Sequence, residues 1–275
     1  MANLKNIMSC KYILIAISII FIFIMLLLPL IVIFHEAFKN GINSYIVAVS
    51  NHLTLQALQL SITTTLIAVI CNSIFGLFAA WALTRFYCRG SKFLTTLIDI
   101  PFTISPVIAG LILSLTFGRS GWAAPILEFF HIKILFTTTA VVLVTIFVTL
   151  PFIARSIMPV LISRGTDEEE AAALMGADGF TIFRKITFPH IKWSLLYGII
   201  LCTARAMGEF GAVSVVSGHL QGKTDTLPLL IEILYNDFKM MDAFAVSTIL
   251  VFLALILLIF KNMIEHRWQK SGGVK

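Results

Sequence analysis

Charge is what this sequence of 275 residues has least of. Asp, Glu, Lys and Arg make up only 12% of it, against about 25% in a soluble domain. Of the 34 charges, eight fall within residues 167–192 and five within 261–275, so the long runs elsewhere are nearly bare. That excludes a soluble globular domain. Cysteine is also scarce. Cys10, Cys71, Cys88 and Cys202 have no metal-ligand spacing, and two lie inside apolar runs, which argues against a disulfide framework. Cys10 is not a lipoprotein acceptor by pattern, because the apolar run follows it. That run is too long for a signal-peptide core and lacks a small-residue cleavage site. Histidine is missing from the middle of every apolar run: His35, His52, His131, His190, His219 and His266 fall in connections or at run ends. A serine–histidine intramembrane hydrolase, which six spans would permit, is a distant alternative, with no mid-span histidine to pair with a serine. Gly222-Lys223-Thr224 is not a phosphate loop, since the first glycine of that pattern would fall on Ser217 and no strand precedes it. No nucleotide-binding site, low-complexity tract or short repeat is present, and the net charge of +6 needs no nucleic acid to explain it.

What remains is apolar. Hydrophobic residues make up 59% of the chain and the mean hydropathy is +0.97. The pattern predicts an all-α polytopic membrane protein with six transmembrane helices, near residues 12–34, 58–84, 94–117, 137–154, 193–218 and 243–260. The connections 35–57 and 219–242 read as polar, and 118–136 as an outer loop with Trp122 as an interfacial anchor. The second span opens on Ser61-Ile-Thr-Thr-Thr65, whose hydroxyls can bond to the preceding turn or to a neighbouring helix, and carries Gly76, Ala79 and Ala80 as a flat packing face. The third span is broken: Asp99, Pro101 and Pro106 interrupt it. Proline leaves carbonyls that must face protein or a water-filled cavity. Such a break marks either a pathway or a packing kink.

Six spans put both termini on one side, and the basic residues choose it. Fourteen of the 20 Lys and Arg fall on the side of the termini and of the 2–3 and 4–5 loops, five on the other, with Arg205 inside a span. The positive-inside bias predicts both termini in the cytoplasm.

The 4–5 loop is the one long polar stretch. Thr166 and Glu169 have the spacing of a capping box at the start of a short helix, with Asp167, Glu168 and Glu169 in its favourable first turn. Gly176 and Gly179 mark a turn, and Phe180 to Ile186 can form a second short helix that Pro189 ends. Glu170-Ala171-Ala172, then Gly176 after three residues, then Ile186-x-Phe188-Pro189 after nine, resembles the EAA loop of binding-protein-dependent ABC importer permeases. Phe188 stands where that family has leucine, an apolar exchange. The resemblance implies that this loop is a cytoplasmic coupling helix inserted into a groove on a separate ATPase, with Glu170, Ala171, Ala172, Gly176, Ile186 and Pro189 as its coupling residues. It also implies a second, related permease subunit and a periplasmic binding protein. ATP and Mg would belong to the ATPase, leaving this chain without a cofactor.

In the fifth span Arg205 and Glu209 are four residues apart, the spacing of a pair on one helix face. Charges in a span are costly unless partnered or wet. The pair either lends positive potential to an anion pathway or fixes helix packing. Arg205-Ala-Met-Gly-Glu-Phe-Gly-Ala212, with Gly222-Lys-Thr-Asp-Thr-Leu-Pro-Leu229 and Pro101-Phe-Thr-Ile-Ser-Pro-Val107, is similar to the sulfate/thiosulfate permease subunits, the CysW type above all. Molybdate and tungstate permeases share the first of these stretches, so they remain the alternative. The similarity covers about residues 55–265, taken as the permease domain. Residues 1–54 form an N-terminal span and outer loop, and 266–275 a tail. The residues expected at the anion pathway or gate are Arg205, Glu209, Phe210, Asp99, Pro101 and Pro106. The resemblance implies an inner-membrane location.

Overall fold

The computed structural model describes residues 2–86 and 90–270; Cys88, Arg89 and Lys275 lie outside them. All regular structure among the described residues is helical. The chain opens with α1 (Ala2–Ile22), a π-helical turn (Phe23–Leu27), α2 (Leu28–Phe38) and α3 (Ile42–Val49). Then come α4 (His52–Arg85), α5 (Ser91–Thr103), α6 (Pro106–Phe117) and the short α7 (Ala124–Phe129). The second half has α8 (Thr138–Thr149), α9 (Pro151–Arg164), α10 (Asp167–Leu174) and α11 (Gly179–Ile182), followed by a second π-helical turn (Phe183–Thr187). It closes with α12 (Phe188–Met207), α13 (Gly211–Ser217), α14 (Leu227–Asn236) and α15 (Met240–Lys270).

Among the described residues four helical segments are long and apolar enough to cross a membrane, and two bent pairs bring the total to six if each counts as one span. At ~1.5 Å per residue the 34 residues of α4 reach about 51 Å, beyond a hydrocarbon core of about 30 Å, so the polar end turns stand clear of it. The most apolar stretch of Ile13–Phe38 buries nothing within the chain.

The two π turns have one cause. Each is followed two residues later by a proline, Pro29 or Pro189, which has no N–H to give. The backbone widens by one residue ahead of the ring instead of breaking. Phe188 N–H bonds to the Phe183 carbonyl, and helical structure runs without interruption from α11 into α12. The expectation that Pro189 ends a short helix is therefore corrected: the polar loop feeds straight into the fifth span. The connection 219–242 is corrected too, because it contains α14, whose Leu227, Leu229 and Leu230 are buried. The connection 35–57 likewise contains α3.

The core sits where small residues let helices touch. A Cβ on Gly76 of α4 would lie 2.9 Å from Ile153 of α9, and one on Gly198 of α12 would lie 3.0 Å from Ser156 of α9. Around these approaches Ile153, Ile157 and Leu161 pack with Val69, Ala80, Ile191 and Cys202. Ser194 donates to the Ser156 carbonyl, and Asn72, fully buried, donates to Thr149 Oγ1 at 2.8 Å and to the Ile146 carbonyl at 3.1 Å. α4, α9 and α12 thus form one tight block. A second cluster joins Val141, Val144 and Val148 of α8 to Ala109 of α6 and Val213 and Val216 of α13.

Candidate functional site

Among the described residues, polar side chains gather chiefly at the α10 loop and at the two breaks in the bent spans.

α10 starts with four acids, Asp167 to Glu170, and ends in a Schellman motif. Gly176 N–H bonds to the Ala173 carbonyl and Ala177 N–H to the Ala172 carbonyl, with Gly176 at φ +85°, which glycine alone adopts without strain. Asp178 then caps α11 through Thr181, and that contact holds its carboxyl below the usual carboxylate range. The capping box is not formed. Thr166 Oγ1 donates to Glu170 Oε1 at 2.6 Å instead. Glu169 turns inward, with Oε2 2.9 Å from Arg85 Nε and Oε1 accepting from Thr187 Oγ1 at 2.8 Å. A nearly buried guanidinium attracts this carboxylate more strongly than a neutral backbone N–H does. Glu168 meets His190 Nε2 at 2.8 Å. Of the sequence-predicted coupling residues, Ala172 is buried and Ile186 half-buried, while Glu170, Ala171, Gly176 and Pro189 are exposed. The far end of α10 carries exposed apolar side chains: Leu174 is 90% exposed, Met175 84%, and Phe180 beyond the turn 71%.

The breaks are sharp. α5 and α6 meet at 106° across Ile104 and Ser105, and α12 and α13 at 53° across residues 208–210. Pro101 continues inside α5, so the break falls not there but before Pro106, which starts α6. The two breaks abut: a Cβ on Gly211 would lie 3.3 Å from both Pro106 and Val107. Arg205 Nη1 is 2.6 Å from Glu209 Oε2, as the spacing predicts. The geometry differs from a shared helix face, however, because Glu209 lies beyond the end of α12. From there its Oε1 also accepts from the Ala212 N–H at 2.9 Å, serving the start of α13. The Glu209 side chain is 1% exposed and that of Arg205 32%. Phe210, in the same break, stays partly exposed.

Asp99 has a partner the sequence did not suggest. Arg155 Nε is 2.6 Å from Asp99 Oδ1, and its guanidinium lies 4.8 Å from the Phe102 ring centroid. Arg155 falls just past the expected end of the fourth span, at residue 154. It belongs to a helical run from Thr138 to Arg164 that continues about ten residues past the expected end of the fourth span. Sequence reasoning also missed Arg85 and Asn72; an arginine just inside the end of an apolar helix and an asparagine within one are the signals that mark them.

The Gly222 stretch is a self-folded loop. Thr224 Oγ1 donates to the Ser217 carbonyl at 2.8 Å and accepts from the Leu220 N–H at 3.2 Å. Thr224 is thereby 2% exposed, and Asp225 3%, with burial raising the Asp225 carboxyl above its ordinary range.

A helical membrane bundle with two abutting broken spans and a braced polar loop defines a transport permease. A bacterial alginate ABC transporter in complex with an alginate pentasaccharide-bound periplasmic protein has the same fold, with a TM-score of 0.81 at 18% identity, covering 98% of this chain and 99% of that one. The chain belongs to the family of binding-protein-dependent transport system inner membrane components, which matches residues 72–270. It is 43% identical over 265 residues to the sulfate transport system permease protein CysW of Synechocystis sp., covering 96% of each chain. It is 44% identical over 261 residues to CysW of Escherichia coli, covering 95% of this chain and 90% of that one. The CysT permease protein of Salmonella typhimurium is 32% identical over 253 residues, 92% of this chain and 91% of its own.

Proposed function

We propose that this chain is the membrane-spanning permease subunit of an ATP-driven importer of sulfate and thiosulfate. It works in the inner membrane with both termini in the cytoplasm. Residues 55–265 form the permease domain, 1–54 an N-terminal span and outer loop, and 266–275 a cytoplasmic tail. Separate ATPase subunits bind and hydrolyse ATP with Mg, a second related permease completes the passage, and a periplasmic binding protein delivers the anion.

The observation that carries this reading is α10. A short helix whose acidic first turn is braced from behind, and whose other end shows Leu174 and Met175 almost fully exposed, is shaped to enter an apolar groove on another subunit. Exposed apolar side chains beside four carboxylates fit a protein partner better than a lipid surface. The anion would pass the abutting breaks, where Arg205 supplies a partly exposed cation held in place by Glu209. Closure of the ATPases would push α10, and the bundle would convert that push into alternating access.

The test is ATP-dependent uptake of labelled anions into vesicles holding the assembled complex and its binding protein. Sulfate and thiosulfate should accumulate. Accumulation of molybdate or tungstate in their place would transfer the proposal to those tetrahedral dianions, and ATP-independent uptake would end it.

A further inference from the structure

We propose that Arg85 is the positioning residue of coupling: it locks α10 to α4 and α9, so that a push on α10 moves the α4–α9–α12 block as one body. The inference rests on the docking of an ATPase on α10 proposed above.

Arg85 is the last residue of α4, and its side chain is only 8% exposed, rare for an arginine without a charged partner. Its two arms go to different elements. Nε pairs with Glu169 of α10 at 2.9 Å, and Nη1 donates to the Leu161 carbonyl of α9 at 3.0 Å. Leu161 lies in the final turn of α9, where carbonyls have no partner within the helix. There the Gly165 N–H goes to Ile162. One guanidinium at the end of α4 therefore meets the last turn of α9 and the first turn of α10. The planar fork of arginine suits this, and lysine, with a single point of attachment, does not.

Two further contacts complete the clamp. The other oxygen of Glu169 takes the hydroxyl of Thr187, a residue 1% exposed, and Glu168 meets His190 on α12. α10 is thus fastened to α4, the second π turn and α12 by the side chains of its first turn, with Ala172 buried behind them, while Leu174 and Met175 at its other end stay exposed. Behind the clamp, α4, α9 and α12 touch at Gly76 and Gly198 with no room for a Cβ. Beyond the breaks before α6 and α13 lies a second tight pair, in which a Cβ on Gly110 of α6 would lie 2.7 Å from the Ala212 carbonyl of α13, and α8, in one helical run with α9, packs against that pair. A load on α10 has a stiff route into the block and from it, through α8 and the two bends, to α6 and α13.

A bond that only held the fold would change how much complex forms, not how much anion moves per ATP. The experiment measures both for the assembled transporter in vesicles: ATPase recovered with the permease, and labelled sulfate taken up per ATP hydrolysed. Arg85→Met should retain its ATPase and hydrolyse ATP while moving at least about fivefold less sulfate per ATP, the low end of typical coupling factors. Arg85→Lys and Glu169→Gln should fall between it and the unaltered complex. If Arg85→Met does not assemble, the same ratio in Glu169→Gln and Arg85→Lys decides the matter. An unchanged ratio in those assembled variants overturns the proposal. Failure of any ATPase to join the unaltered permease overturns the docking reading and the proposal with it.

Discussion

Replacing Arg205 with methionine should damage this permease more than replacing Glu209 with glutamine. The two side chains are unequally buried, 32% exposed for Arg205 and 1% for Glu209, with 2.6 Å between them. Arg205→Met leaves the carboxylate enclosed with one remaining bond, from the Ala212 N–H. Stranding a buried charge in this way costs about 3–5 kcal/mol. Glu209→Gln keeps an acceptor for Ala212 and leaves a guanidinium that can reach water, so the loss is one close ion pair with a partly exposed partner, about 1 kcal/mol. The difference is at least ~2 kcal/mol, about thirtyfold in the folded population. The assay is the yield of folded complex beside labelled-sulfate uptake, with the double variant Arg205→Met, Glu209→Leu alongside. If the pair serves the pathway, the double variant assembles but moves little anion. Equal damage from the two single variants would refute the burial argument, and full uptake by the double variant would leave the pair only a packing role.

Three other outcomes are expected. Single cysteines at Ser120 and Lys223, in a variant lacking the native cysteines, should react with an impermeant thiol reagent from outside, and one at Thr166 only after the membrane is opened; Lys223 serves because the neighbouring Thr224 is buried. Gly176→Ala should weaken the α10 turn by about 1 kcal/mol because φ there is +85°, and Gly176→Pro should abolish uptake and ATPase recovery, since proline is fixed near −65°; normal recovery would count against the turn. Asp225 has a carboxyl raised by burial, so the folded form holds a proton that the unfolded chain gives up, and its penalty grows as pH rises from the ordinary aspartate range through the raised value. Asp225→Asn should therefore stabilise the complex at neutral pH, with the gain fading as pH falls below the ordinary aspartate value; a gain independent of pH in thermal unfolding would contradict this.

The sequence announced the membrane class, the cores of the spans and the loop because those signals are local: runs of apolar residues, prolines and a spaced pattern. What it concealed depends on contacts across the chain. Glu169 looked like half of a capping box, and only the arrival of Arg85, 84 positions earlier, draws it elsewhere. Pro189 looked like a stop, but one widened turn absorbs it. α14 was hidden because the connection around it carries enough polar residues to mask three buried leucines in a short helix. Asp99 read as an isolated carboxylate because Arg155 sits in a segment whose polarity suggested loop. The Arg205–Glu209 pair was legible from spacing, while the bend that lets Glu209 also serve α13 was not.

Coupling of this chain to an ATPase through α10 is open to a cross-linking test. With a single cysteine in place of Met175, 84% exposed, the assembled complex would be treated with a short thiol-reactive photo-cross-linker. An adduct of this chain with the ATPase should form, abundant in the complex and lost when the ATPase is stripped away. An adduct formed instead with the periplasmic binding protein, or labelling of position 175 from outside the cell, would contradict it.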